Sequence, residues 1–228
     1  MKTFFLFVFL SWVTGNPILA GAIILVILGG SYFLYSRRLY RVRQTWGDGA
    51  RIRTLQAGLA INPEDAKSRS DLGALLARKG RFVEALGHLE RAITRCDDVP
   101  DTNFYLGWTQ LALGDQQQGQ RHIMRALELN PRFGYGEPHL RLGDLFFARG
   151  EHKEAIPHYE AFRAIHSSGV EGLVKLGECY LATGEREKGV EVLREAVAAF
   201  RTAPWYRRQE ERRWGRKAMW ALRKAGRP

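Results

Sequence analysis

Residues 71–93 read DLGALLARKGRFVEALGHLERAI, and this stretch decides the fold. Its Leu72-Gly73 pair recurs as Leu106-Gly107, Leu142-Gly143 and Leu176-Gly177, at offsets of 34, 36 and 34 residues. Each pair is followed by a second glycine and then by a small residue, at the same spacing in all four copies. The second glycines are Gly80, Gly114, Gly150 and Gly184, and the small residues are Ala85, Gly119, Ala155 and Gly189. A period of this length is typical of stacked helical hairpins.

The residues between these landmarks follow helical periodicity. After Gly80, apolar side chains recur at positions that share one helix face, and they are Phe82, Ala85, Leu86, Leu89, Ala92 and Ile93. Small residues on that face allow two helix backbones to approach closely, and the turn glycine can adopt the positive φ that ends a helix. One hairpin cannot bury its apolar stripe alone, so we expect neighbouring hairpins to stack into a curved array with a concave groove.

These positions resemble the tetratricopeptide repeat (TPR), which has Leu-Gly in its first helix, glycine at the turn, a small residue at the helix crossing, then a second alanine and a closing proline. The second alanine is present as Ala92, Ala126 and Ala196, and the closing proline as Pro131. Phe162 replaces the alanine in the third repeat, while Asp97, Ser167 and Arg201 stand in place of the proline. The resemblance covers about residues 66–201 and implies an all-α solenoid of helical hairpins.

The period divides the chain as follows: repeats at 66–99, 100–133, 136–169 and 170–203, and a basic capping helix at 204–228. Asn62-Pro63 precedes Asn130-Pro131 by 68 residues, twice the period, which predicts a half-repeat helix at 47–63 before the array. Two extra residues between the second and third repeats fall in the glycine-rich stretch 132–136, where we expect a longer turn.

The N-terminus predicts a membrane segment. Residues 18–35 read ILAGAIILVILGGSYFLY, are uncharged, and would span about 27 Å as a helix. We therefore predict a transmembrane helix at 18–36, after a short apolar segment at 1–17 that is a second short span, a hairpin or an interfacial segment. A cleaved signal peptide is the alternative, with Ala20-Gly21-Ala22 as a candidate cleavage site. Cleavage there would leave only part of the apolar run, which favours an uncleaved anchor similar to bacterial-type membrane-anchored TPR proteins.

A basic segment at 37–46 follows the predicted span. Arg37, Arg38, Arg41 and Arg43 have no acidic residue among them, so the positive-inside rule predicts that the repeats lie on the cytoplasmic side of the inner membrane. The alternative places the same repeats on the outer side as an assembly factor.

Charge is concentrated at the two ends of the chain. The net charge is +11, yet residues 46–200 carry 20 basic and 22 acidic side chains, whereas residues 201–228 carry ten basic and two acidic ones. The pattern favours contact with an anionic membrane surface over duplex binding. The predicted C-terminal helix from residue 204 to residue 225 presents Arg208, Arg212, Arg216 and Trp220. Three interpretations remain open: a solvated cap on the last repeat, a cap that also touches anionic lipid, and a single-strand nucleic acid contact, which no recognised motif supports.

The TPR resemblance also implies where a partner protein would bind, namely along the first helix of each repeat. The corresponding residues are Phe104, Trp108, Leu111, Leu140, Asp144, Phe147, Val174 and Glu178. An aromatic and aliphatic floor with two carboxylates suits an amphipathic helix or an extended segment with apolar anchors and basic residues. The alternative is that the aromatic residues only pack between repeats.

Catalytic and cofactor motifs are absent from the sequence: there is no phosphate-binding loop, CxxC, HExxH or nucleophile elbow. His88, His122 and His158 occupy the same position in three consecutive repeats. Even neighbouring helices lie about 10 Å apart, so residues a whole repeat apart are too distant to bind one metal ion. We expect no cofactor and no metal, and two buried cysteines without a disulfide. The sequence predicts a non-enzymatic, membrane-tethered scaffold that recruits or assembles envelope or membrane-associated protein partners.

Overall fold

The computed structural model describes the backbone of residues 2–225 and the side chains of residues 7–26 and 47–225. The chain divides into two compact units, residues 1–54 and 55–228. The first unit contains α1 (Lys2–Thr14) and most of α2 (Pro17–Ile61). Gly15, with φ +62°, separates them, and the Asn16 side chain accepts hydrogen bonds from the backbone N–H groups of Ile18 and Leu19. An asparagine cap followed by proline is a common way to begin a helix.

Helix α2 is longer than the sequence predicts. The predicted span, basic segment and half-repeat helix form one 45-residue helix, because no proline interrupts the chain between Pro17 and Pro63 and the interior glycines do not break it. Among the residues that are described, no helix is both long and apolar enough to cross a bilayer. The predicted span at 18–36 continues beyond residue 26 into side chains outside the described set. The predicted basic flank, Arg37, Arg38, Arg41 and Arg43, also lies outside it.

The second unit is an array of antiparallel helix pairs. The pairs are α3 (Ala66–Arg78) with α4 (Phe82–Ile93), α5 (Pro100–Leu113) with α6 (Gln116–Leu129), α7 (Glu137–Ala148) with α8 (His152–Ile165), and α9 (Val170–Ala182) with α10 (Arg186–Thr202). The turn glycines Gly80, Gly114, Gly150 and Gly184 all have positive φ, between 74° and 95°. This backbone conformation favours glycine because it has no Cβ.

The Leu-Gly pairs bring the two helices of each pair into contact. Leu72, Leu106, Leu142 and Leu176 are buried. The glycine beside each leucine lies where a Cβ atom would collide with the second helix. At Gly107 that atom would lie 2.6 Å from the carbonyl oxygen of Gly119 and 2.8 Å from the amide nitrogen of Ile123. The glycines therefore set the distance between the two backbones, and the expected all-α solenoid is confirmed.

The two-residue insertion forms a 3₁₀ turn at Phe133–Gly136. Gly134, Tyr135 and Gly136 have φ values of 58°, 54° and 85°. This left-handed path joins α6 to α7, as the sequence predicts for a longer glycine-rich turn.

The C-terminal region differs from the single helix that the sequence predicts. It contains α11 (Trp205–Glu210) and α12 (Arg212–Ala225), with a break at Glu211. The break is absent from the prediction because neither glycine nor proline marks it. Helix α12 packs on α9 and α10, and Gly215 on α12 lies close to the Phe200 ring. Ala218 and Ala221 are buried there, so α12 covers the apolar flank of the last repeat.

Candidate binding face on the repeats

We call the first helix of each pair (α3, α5, α7 and α9) an A helix and the second a B helix. The A helices lie next to one another: α5 contacts both α3 and α7. The candidate binding residues all lie on A helices, and we call the side that carries the accessible ones, Trp108, Leu111, Asp144, Phe147 and Glu178, the A-helix face. The structure separates these residues into buried and accessible groups.

Three of the predicted binding residues belong to the core. Phe104, Leu140 and Val174 are at most 7% exposed, and they pack against buried side chains of neighbouring helices. Each lies three residues before the glycine of a Leu-Gly pair, on the side of the A helix that turns into the array. A partner cannot reach them, so these three assignments to the groove surface are wrong.

The other five predicted residues are partly exposed: Leu111 and Trp108 on α5, Asp144 and Phe147 on α7, and Glu178 on α9. The Leu111 side chain packs against Gly119 of α6, the B helix of the same repeat. The Phe147 ring meets the His152 ring edge to face at 5.2 Å. Both side chains are thus held in place while part of their surface stays accessible.

Trp108 lies within an aromatic cluster between the first two repeats. Its ring is 5.9 Å from Phe82 of α4, 6.1 Å from Phe104 and 6.0 Å from Tyr105. The guanidinium carbon of Arg141, on α7, lies 4.7 Å from the indole centre, within the range of a cation–π contact. Trp108 therefore connects packing in the first two repeats to a charged residue of the third.

Contacts between neighbouring A helices continue toward the C-terminus through charged side chains. Lys175 of α9 donates to Asp144 of α7 and to Glu171 of its own helix, both at 2.6 Å. The hydroxyl of Tyr159 donates to the same Asp144 oxygen at 2.8 Å, and burial raises the pKa of Tyr159. Asp144 thus has two strong donors, so its charge is already balanced within the array.

Glu178 has the same arrangement one repeat later. Lys217 of α12 donates to it at 2.7 Å. The ammonium nitrogens of Lys217 and Lys175 lie 5.4 and 5.0 Å from the Trp214 ring centre. Each of the two predicted groove carboxylates is thus paired with a lysine, Asp144 with Lys175 of the next A helix and Glu178 with Lys217 of α12.

A single rule describes these contacts. A cationic residue on the next A helix, or on α12 after the last repeat, contacts a partly exposed residue of the preceding A helix. The pairs are Arg141 with Trp108, Lys175 with Asp144, and Lys217 with Glu178. Helix α12 thereby occupies the place of a fifth A helix. We call these six residues the interlocking row.

Sequence reasoning missed the cationic half of this row. Arg141 and Lys175 each directly precede the leucine of a Leu-Gly pair, and this recurrence was the available signal. Lys217 follows no Leu-Gly pair, so only the packing of α12 reveals it.

The recurring histidines lie between the helices of a pair. The His158 ring stacks on Phe146 at 5.4 Å and lies 5.9 Å from His139, while His122 meets the side-chain oxygen of Asn103 at 3.3 Å. Burial lowers the pKa of His88, His122, His139 and His158. Within the part of the chain that is described, no three potential ligands converge as a metal site would require.

Cys96 and Cys179 are free and buried, and burial raises the pKa of Cys179 to about 12.

The predicted C-terminal residues are all at the surface. Arg208 on α11 and Arg212, Arg216 and Trp220 on α12 are exposed, Trp220 by 62%.

Comparison with known families agrees with this architecture. The family model described as tetratricopeptide repeat matches residues 52–100 and 140–204, half of the chain. The chain belongs to the tetratricopeptide repeat family. The unmatched stretch between these ranges contains α6 and all of α5 except Pro100, and these two helices nevertheless form the second TPR pair.

Solved TPR structures share the fold. A MamA structure aligns with a TM-score of 0.61 at 21% identity, over 69% of this chain and 91% of that one. YrrB, described as a TPR protein with an unusual peptide-binding site, aligns with a TM-score of 0.56 at 18% identity, over 75% and 90%. TTC0263, a TPR protein of Thermus thermophilus, gives 0.58 at 18% identity, over 77% and 94%. At these identities the likeness concerns the fold alone.

A curated relative is Superkiller protein 3 of Schizosaccharomyces pombe, 28% identical over 110 residues. The match covers 46% of this chain and 8% of that protein, so the chain spans a small part of the relative's length.

Proposed function

We propose that this protein is a non-enzymatic scaffold that binds a segment of a partner protein along the A-helix face of repeats two to four. The observation that carries the proposal is that Trp108 and Phe147, two large aromatic residues on neighbouring A helices, keep accessible surface although both are held by packing. Aromatic side chains that are fixed and partly exposed are typical anchors of protein interfaces. YrrB, a protein of the same fold, is described as having a peptide-binding site, which supports the proposal.

The chemistry of this face suggests the kind of segment that fits. The carboxylates of Asp144 and Glu178 are paired with Lys175 and Lys217, so the face offers a nearly balanced set of charges rather than an acidic groove. Apolar side chains of the partner would contact Trp108 and Phe147, while its polar groups would meet the paired charges. We therefore infer a partner segment with apolar or aromatic anchors and little net charge.

The test is partner capture with the full-length protein in a native detergent. Trp108→Ala and Phe147→Ala are compared with Met124→Ala, a control on α6 where Met124 is 48% exposed and lies away from the A-helix face. Loss of an interface anchor weakens binding by about 2 kcal/mol or more, roughly thirtyfold. We expect that loss for both aromatic variants, measured where they are still folded, and none for the control. Unchanged capture by both aromatic variants would contradict the proposal.

We also propose that the scaffold is tethered to a membrane through its N-terminal unit and recruits membrane-associated partners. Several apolar side chains of this unit are largely exposed, namely Trp12 at 81%, Ile18 at 83%, Leu25 at 72% and Val26 at 74%. Exposed apolar surface of this extent is unusual unless it meets an apolar partner. The uncharged run at 18–35 and the arginines that follow it support a tether with cytoplasmic repeats.

Reporter fusions test the tether and its orientation. A C-terminal phosphatase fusion should be inactive and a fluorescent-protein fusion bright, in the membrane fraction. Active phosphatase would place the repeats on the outer side, and recovery of the protein outside the membrane fraction would refute the tether.

A further inference from the structure

The outward side of α12 carries cations around a single tryptophan. At 3.6 residues per turn, its exposed residues fall within an arc of about 120°. They are Arg212, Arg213, Arg216, Trp220, Arg223 and Lys224, and we call them the basic face. The opposite side of α12 is packed on α9 and α10 through Ala218 and Ala221, which fixes the basic face outward from the last repeat.

The charge of this face is not neutralised by the described residues. Arg212, Arg216 and Arg223 have no carboxylate partner among them, whereas arginines on the repeats, such as Arg125 and Arg163, pair with nearby glutamates. The nearest acidic residue on the chain, Glu211, pairs instead with Arg207 at 3.1 Å. The basic face therefore has an uncompensated positive charge that attracts an anionic partner.

The aromatic residues around the basic face suggest which anionic partner it meets. Trp220 is 62% exposed, and the Lys224 ammonium lies 5.5 Å from its ring centre. On α11, Trp205 and Tyr206 are about half exposed, and their rings meet edge to face at 5.9 Å. Tryptophan and tyrosine beside arginine and lysine are characteristic of the membrane–water interface. A strand of nucleic acid would be bound by several stacking platforms along a groove, whereas α12 exposes one aromatic ring on a convex helix face.

We propose that the basic face of α12 docks on an anionic bilayer surface, with its arginines contacting acidic lipid head groups and Trp220 entering the interface. The apolar side of α12 is occupied by the array, so the contact is electrostatic adsorption of a rigid surface rather than insertion of an amphipathic helix. This docking does not depend on the A-helix face or on the N-terminal tether.

The experiment reads out Trp220 in the full-length protein. Vesicles carry brominated acyl chains, which quench tryptophan fluorescence at the interface, and are made of phosphatidylcholine alone or mixed with phosphatidylglycerol. The difference between the wild type and Trp220→Phe isolates the signal of Trp220 from that of the other tryptophans. A triple variant, Arg212→Gln/Arg216→Gln/Arg223→Gln, removes charge from the basic face. The matched control, Arg121→Gln/Arg132→Gln/Arg194→Gln, removes the same charge from exposed positions on the repeats.

We expect quenching of Trp220 in the anionic vesicles and little in the neutral ones, even where the N-terminal unit attaches the protein to both. Each arginine removed from the basic face should raise the anionic lipid needed for half-maximal quenching about fivefold, equivalent to about 1 kcal/mol. The control triple variant should behave as the wild type. Added salt should reverse the quenching in the wild type, which tests the charge dependence without any substitution.

Equal quenching in neutral and anionic vesicles, or none in either, would overturn the proposal. So would binding of a single-stranded oligonucleotide that the basic-face variant loses, together with unquenched Trp220, because that result assigns the face to nucleic acid. The quenching of Trp220 does not depend on partner capture. Unchanged capture by the Trp108→Ala protein would therefore refute the first proposal and leave this one standing.

Discussion

Replacing Gly107 with alanine tests how closely α5 and α6 must approach. A Cβ atom at Gly107 would lie 2.6 Å from the carbonyl oxygen of Gly119 and 2.8 Å from the amide nitrogen of Ile123. Both are backbone atoms, so no change of rotamer relieves the contact. Ordinary contact begins at 3.4 Å, which requires α6 to move by about 0.8 Å. Overpacking of this kind costs up to about 3 kcal/mol, and the better helix propensity of alanine returns about 1 kcal/mol.

The expected net effect of Gly107→Ala is a loss of about 2 kcal/mol in unfolding free energy, or about 4–8 °C in melting temperature for a protein of this size. Thermal unfolding of the full-length protein followed by far-UV circular dichroism measures it. Gly87→Ala is the matched control: Gly87 lies inside α4, and an added Cβ would have no atom within 4 Å, so alanine should stabilise by about 0.5–1 kcal/mol. A Gly107→Ala protein that melts at or above the wild-type temperature would refute this account of the Leu-Gly pairs.

Three further predictions concern the array. Because burial lowers the pKa of His88, His122, His139 and His158, the unfolded chain binds more protons below about pH 6.5, so the melting temperature should fall as pH drops from about 7 to about 5, and His158→Phe should reduce that fall. Lys175→Met should destabilise by about 2–3 kcal/mol in urea unfolding, since it removes the ammonium group that pairs with both Asp144 and Glu171 and leaves Asp144 with only Tyr159 and Arg141, while Lys67→Met, at an exposed ion pair, should change stability by less than about 0.5 kcal/mol. Tyr159→Phe should cost about 1 kcal/mol in the same assay, because it removes one hydrogen bond to Asp144 but keeps the buried ring; an unchanged midpoint would contradict the role of this bond.

The helical pairs could be predicted from the sequence because their determinants are local. The leucine, the glycine beside it and the turn glycine act within one hairpin, and the same spacing in four copies makes the pattern unmistakable. The break between α11 and α12 could not be predicted, since Glu211 is neither a glycine nor a proline and no local signal marks where α12 begins to pack against the last repeat.

The binding face was only partly predictable for a related reason. Periodicity places Phe104, Trp108 and Leu111 on one side of α5, but it does not say how deeply neighbouring helices cover each position. Phe104 is buried whereas Trp108 keeps accessible surface, and only the packing distinguishes them. The lysine partners of Asp144 and Glu178 lie about 30 to 40 residues further along the chain, where no local pattern links them to those carboxylates.

The pairs of the interlocking row are completed in a fixed order during synthesis of the chain. A ribosome makes the chain from its N-terminus, so Asp144 leaves it before Lys175, and Glu178 before Lys217. Each carboxylate therefore remains without its lysine until a later helix has been synthesised, α9 for Asp144 and α12 for Glu178. Until α12 has emerged, Glu178 has no lysine partner and the apolar flank that Ala218 and Ala221 cover is open, so the last repeat is completed only by the final helix of the chain.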